Sequence, residues 1–272
     1  MANGQTRVYF AGTRGGIPTP GRGTERYGGN TPCLEVRYGE SESLILDAGS
    51  GLRSLNQAAL RQTHTVHMVL THFHWDHIQG LPFFEALYRS GVELRFYSVL
   101  PGELVRNHLS AQMSVPFFPV PWEAVPSRHS FIQIPPGGIQ IGSFAVKGFP
   151  LYHPGGCSGL RIVTKDAVVV FATDHEWGDR EFDRGLIDHA RDADLLVLDA
   201  QYTDDEYATR KGWGHTTWRG AVSLGGLADP RRLVLYHHDP THNDELLERI
   251  EREASGIVAA CSMAKEGTVV GL

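Results

Sequence analysis

Positions 71–77 read Thr71-His72-Phe73-His74-Trp75-Asp76-His77, so three imidazoles and a carboxylate fall close together. They follow an apolar, β-branched run, Val66 to Leu70, with the composition of a buried strand. Strand ends that open into loops are where a rigid scaffold presents chemistry. Imidazole and carboxylate together suit Zn²⁺, Mn²⁺ or iron. In an extended segment, residues two apart point the same way, so His72 and His74 can share one ion. Asp76 and His77 follow where the chain turns toward a helix and can face a second ion. A solvated, His-rich turn would carry the same residue types without that register. One loop cannot close the coordination of two cations, so further ligands are expected elsewhere.

The same pattern of an apolar run ending in a polar side chain recurs along the chain. Leu44 to Leu46 ends at Asp47, the run before Leu151 ends near His153, and Ala167 to Phe171 leads to Asp174. Asp194 to Leu198 ends at Asp199, and Arg232 to Tyr236 runs into His237-His238-Asp239. His237 is in register with the strand end, and His238 is the off-by-one alternative. Gly214-His215-Thr216-Thr217 leads into a predicted helix, with either threonine as its cap. Each residue has a bland reading as well. A lone His beside a glycine loop is commonly structural, and Asp47 or Ser50 could cap a helix over Leu52 to Arg61. Gly12 to Gly21 is a Gly/Pro-rich loop; such loops let amides approach an anion, and a plain turn cluster has the same composition.

Taken together, H-x-H-x-D-H resembles the signature of the metallo-β-lactamase superfamily. That resemblance implies an α/β (α+β) fold, a four-layer αββα sandwich with a two-metal site along one edge of its sheets. It implies one site of His72, His74 and His153, a second of Asp76, His77 and His237, and Asp174 bridging them. Asp47 would brace the metal loop without ligating. Gly12, Pro18 and Thr19, the Gly159-Leu160-Arg161-Ile162 strand, and Asp199 with Gly214-His215-Thr216 resemble tRNase Z-like and cyclic phosphodiesterases. In that match Asp199 orients His215, the general acid, and Asp76 belongs to the catalytic set.

The resemblance implies a binuclear metal-dependent hydrolase acting on phosphoric diesters through a metal-bridging hydroxide. Zinc is the first choice of metal, with Mn²⁺ or Fe²⁺ as alternatives. No Cys occupies a ligand slot, unlike the cysteine-containing β-lactam-degrading site. tRNase Z inserts a long arm between the slots of His153 and Asp174; here a glycine loop and two predicted strands fill that interval. A small or cyclic phosphodiester, such as a cyclic nucleotide, is therefore the expected substrate. A lactonase or thioesterase on the same scaffold, and tRNA 3′-processing, are the alternatives.

The chain has 272 residues, 41% hydrophobic and 21% charged, which is ordinary for a globular protein with a sizeable core. Its formal net charge of -6 disfavours a general nucleic-acid-coating surface. Cys33, Cys157 and Cys261 are scattered and odd in number, as free thiols in a reducing compartment would be. No apolar run is long enough to span a bilayer, so a cytoplasmic location is expected. Nothing divides the chain, and one hydrolase domain over 1–272 is expected. Further helices are expected over Leu81 to Arg89 and Thr241 to Glu253, and closing strands over Ile257 to Ala260 and Thr268 to Val270. The Pro/aromatic stretch 114–126 suits a lid, a homodimer contact or a packed loop equally; relatives of this type are often homodimers.

Overall fold

The computed structural model describes residues 5–55 and 62–272. Its strands are β1 (Thr6–Gly12), β2 (Cys33–Tyr38), β3 (Glu42–Leu46), β4 (Thr65–Val69), β5 (Glu93–Ser98), β6 (Arg128–Gln133) and β7 (Ile139–Ile141). They continue with β8 (Phe144–Leu151), β9 (Cys157–Val163), β10 (Val168–Ala172), β11 (Leu195–Asp199), β12 (Leu233–Tyr236), β13 (Cys261–Met263) and β14 (Val269–Gly271). Two seven-stranded mixed sheets result, ordered β14-β1-β2-β3-β4-β5-β6 and β13-β12-β11-β10-β9-β8-β7.

Strand parity explains the layering. Along β10, Val169 and Phe171 pack between the sheets, while Val170 and Ala172 face the outer helices of the second sheet. Along β5, Leu94 and Phe96 face outward and Tyr97 inward. Both faces of the central strands are buried, which is why VVVFA and LLVL read as unbroken apolar runs instead of alternating ones. Three apolar layers between four layers of structure make the expected αββα sandwich.

The helices are α1 (Trp75–Ile78), α2 (Gly102–Gln112), α3 (Arg180–Ala190), α4 (Asp204–Tyr207), α5 (Trp218–Ala228) and α6 (Asp244–Ile257). Helices α3, α5 and α6 cover the second sheet through Leu186, Ala221, Val222, Leu247 and Ile250. Strands β3, β4 and β5 run parallel, as do β10, β11 and β12. Their carboxyl ends therefore open along one edge, where open α/β sheets place ligands.

Local readings differ in several places. Residues 81–88 form two short 3₁₀ turns, not one helix, because Phe84 between them has an extended backbone with φ -80° and ψ 116°. Residues 257–260 are not a strand. The amphipathic α6 runs to Ile257, and the closing strand is β13. Asp47 caps no helix; Ser50–Ser54 is a 3₁₀ turn, and the remainder of the helix considered over 52–61 lies outside the described residues. The segment around 114–126 is partly a packed loop. Trp122 and Val125 are buried and Phe118 meets Phe83 at 5.6 Å, while Val115 and Phe117 stay exposed. Among the described residues no helix is long and apolar enough to cross a membrane.

Candidate metal centre

Each candidate side chain leaves the sheets at a strand end. His72 and His74 follow β4, with Asp76 and His77 on the single-turn α1. His153 follows β8, Asp174 follows β10, Asp199 ends β11 and His237 follows β12. Asp47, Asp174 and His237 all adopt positive φ, at 59°, 59° and 63°. This left-handed turn is rare for residues with a Cβ and costs on the order of 1–3 kcal/mol where it is strained. It swings each side chain off the strand and over the sheet edge.

The result is one cluster. Asp174 is buried, and its two oxygens face different partners. Oδ2 lies 3.6 Å from both His72 Nε2 and His153 Nε2, and His153 Nε2 lies 3.0 Å from His74 Nδ1. Oδ1 lies 3.2 Å from His77 Nε2 and 3.4 Å from His237 Nε2. Asp76 Oδ2 joins the second group, 3.2 Å from His237 Nε2. His238, the off-by-one alternative, is turned elsewhere: its Nε2 donates to the Ala264 carbonyl at 2.8 Å.

The tautomers follow from the outer partners. His77 Nδ1 donates to Asp47 Oδ2 at 2.8 Å, His153 Nδ1 to the Gly214 carbonyl at 2.8 Å and His237 Nδ1 to Gln201 Oε1 at 3.0 Å. Each therefore turns an Nε2 lone pair inward. His72 Nε2 is buried with no hydrogen-bond partner. Lone pairs facing one another, as at the 3.3 Å between His77 Nε2 and His237 Nε2, repel unless a cation or proton lies between them. Burial pushes the His72 and His153 imidazoles down, which keeps them neutral. His77 moves up: Asp174, Asp76 and Asp47 outweigh burial, an excess of negative charge that a divalent cation would neutralise. The donors form groups of His72, His74, His153 and Asp174, and of Asp76, His77 and His237, that fit two such cations.

His215 stands at the edge of this cluster. Its Nδ1 donates to Asp199 Oδ2 at 2.7 Å, and its Nε2 lies 4.0 Å from Asp174 Oδ2. Burial disfavours its charged form, but the Asp199 charge and hydrogen bond, with Asp174 and Asp76, raise its pKa to about 9. Asp199 is itself held by the backbone amides of Asp174, Gln201 and Thr216. Thr217, not Thr216, caps α5.

The Gly/Pro loop has a different task from anion binding. The amides of Thr13, Arg14, Gly15, Ile17 and Thr19 are bonded to protein carbonyls, and Gly16 N–H donates to Asp76 Oδ2 at 2.7 Å. The loop braces a carboxylate of the cluster. A Cβ on Gly15 would come within 2.4 Å of the His237 ring. Buried Arg14 ties the loop down through the carbonyls of Gly28, Asp239 and His242.

Glu176 and Gln201 are participants that the sequence reading does not select. The Glu176 carboxylate accepts from Tyr207 Oη at 2.7 Å, Gly212 N at 2.7 Å and Gly214 N at 2.8 Å. It thereby fixes the loop that carries His215 and that supplies the carbonyl orienting His153. Its place two residues beyond Asp174 was the available signal; its partners lie 31 to 38 residues away.

Residues 43–238 match a family model described as a β-lactamase superfamily domain. The chain is 26% identical to a protein named Ribonuclease Z from Bradyrhizobium sp. (strain ORS 278), covering 95% of this chain and 97% of that one. Among solved structures it resembles the metallo-β-lactamase fold protein YhfI from Bacillus subtilis, with a TM-score of 0.74 and 21% identity over 99% of this chain and 100% of that one. It also resembles a diphosphatase from the PhnP family, with a TM-score of 0.73 and 17% identity over 97% of each chain.

Proposed function

We propose, from the premise that this chain belongs to the β-lactamase superfamily and is a metal-dependent hydrolase, that it cleaves a small or cyclic phosphodiester. The observation carrying this reading is Asp174, with one oxygen toward each imidazole group, beside a His215 whose tautomer Asp199 fixes. His72, His74 and His153 would hold one cation and Asp76, His77 and His237 the other, with Asp174 lying between the two groups. When bound, the two cations supply a water acidic enough to attack at neutral pH and neutralise charge on the phosphoryl oxygens. His215 Nε2 hands its proton to the departing ester oxygen as that bond to phosphorus breaks, and recovers one from the water that replaces it. Asp199 keeps Nδ1 protonated so that Nε2 faces the cluster. The same reading takes zinc first, with Mn²⁺ or Fe²⁺ as alternatives, one hydrolase domain over 1–272, a cytoplasmic location and a homodimer.

The test compares two substrates. With Zn²⁺ or Mn²⁺ the protein should hydrolyse both bis(4-nitrophenyl) phosphate and a cyclic nucleotide, and Asp174→Ala should hydrolyse neither. His215→Ala should lose about 10²–10⁴-fold on the cyclic nucleotide, whose leaving alkoxide needs a proton, and far less on the nitrophenyl ester. Activity confined to lactones or thioesters, indifferent to His215→Ala, would mean the lactonase class instead.

A second reading is favoured by the relative named Ribonuclease Z, matched over 95% of this chain. It predicts endonucleolytic cleavage of a 3′-extended tRNA precursor. Here His153 and Asp174 are joined by a glycine loop, β9, a short turn and β10, and the net charge is -6. Both favour the small substrate, and the precursor assay separates the two.

A further inference from the structure

We propose that a cavity beside His72 and His74 receives an uncharged, largely apolar ester group, the one the substrate keeps after cleavage. This rests on the phosphodiester reading above and names the substrate class within it. The cavity has a volume of about 530 Å³, and His72 and His74 of the metal centre are among its lining residues. Its other walls come from both sheets: Leu100 follows β5, Ile134 follows β6 and Phe149 lies on β8. A group entering there stays within reach of the cluster.

Two observations decide the chemistry. First, among the described residues no Lys, Arg, Asp or Glu lines the cavity. A second phosphate or a continuing RNA backbone would enter it unpaired, which is costly, whereas an aryl ring, a branched chain or a neutral base would bury apolar surface. His108 and Gln133, exposed residues lining the same cavity, offer hydrogen-bonding groups to a heterocycle. Second, the cavity lies away from the acid. His74 and His153 rings are 4.8 Å apart, His153 and His215 rings 5.1 Å, and neither His153 nor His215 lines the cavity. The leaving oxygen must meet His215, so the group beyond His74 is the retained one.

The test holds the leaving group constant. Methyl, phenyl and 1-naphthyl esters of 4-nitrophenyl phosphate all release 4-nitrophenolate. With metal-loaded protein, kcat/KM should rise at least about tenfold from methyl to naphthyl, mainly through KM, the scale on which apolar pockets discriminate. Val99→Trp, at a half-buried wall residue, should abolish that gain and leave the methyl ester's kcat/KM unchanged. Calorimetric binding of uncleaved 1-naphthyl methylphosphonate should weaken in the same variant. If Val99→Trp does not fold, Pro136→Trp at an exposed wall position repeats the block. Equal kcat/KM across the series, or a naphthyl preference that survives both variants, overturns the inference. No turnover of any ester overturns the phosphodiester reading first.

Discussion

Three donors converge on the Glu176 carboxylate, and what they fix is a loop rather than a ligand. Gly214 gives its amide to Glu176 and its carbonyl to His153, so one peptide sets both the loop position and an imidazole tautomer. Outer partners of this kind typically cost 10–100-fold in metal affinity or activity when replaced, about the range expected here. Glu176→Gln keeps the shape but turns an amide donor toward groups that are all donors. Its expected signature is weaker binding of the first cation in a competitive chelator titration, together with a lower kcat. An unchanged titration would limit Glu176 to folding. At this scale the sequence showed residue types and strand-end positions. His237 was preferred over His238 on strand register; the structure adds a left-handed backbone at His237 and sets its Nε2 3.2 Å from Asp76 Oδ2.

The first loop shows what an element contributes beyond its own residues. Its glycines suggested amides open to an anion, but the chain uses those amides itself, and Gly15 lies flat against the His237 ring. Gly15→Ala must push that ring aside, since the added Cβ would sit 2.4 Å from it. The expected result is loss of one of two bound cations by elemental analysis, with His72, His74 and His153 still holding theirs. Retention of both would show that the loop can yield. Strands were legible because buried parallel runs such as VVVFA carry their own signal. The two 3₁₀ turns at 81–88 were not, because short apolar stretches fit either helix or turn until their packing is known.

Across the whole molecule, the candidate ligands divide between the sheets: His72, His74, Asp76 and His77 follow the first, while His153, Asp174 and His237 follow the second. A cation pair bound there would tie the two halves together. Each site saturated at about 100 times its dissociation constant adds about 2.7 kcal/mol to the folded state. Removing metal with a chelator should therefore lower the thermal midpoint by several degrees, and Asp174→Ala should abolish most of that difference. An equal shift in wild type and variant would mean that the chelator acts elsewhere. The sequence by itself supplied the candidate ligand types and the strand ends that carry them, because those follow from local composition and period, whereas the layered fold was implied by the resemblance of H-x-H-x-D-H to the metallo-β-lactamase superfamily. Only the tertiary structure decided that the first loop supports Asp76, that Glu176 fixes the loop carrying His215 and that a cavity with no Lys, Arg, Asp or Glu among its described lining residues adjoins His74. Those facts depend on distances between residues far apart in the chain, and local composition carries no record of them.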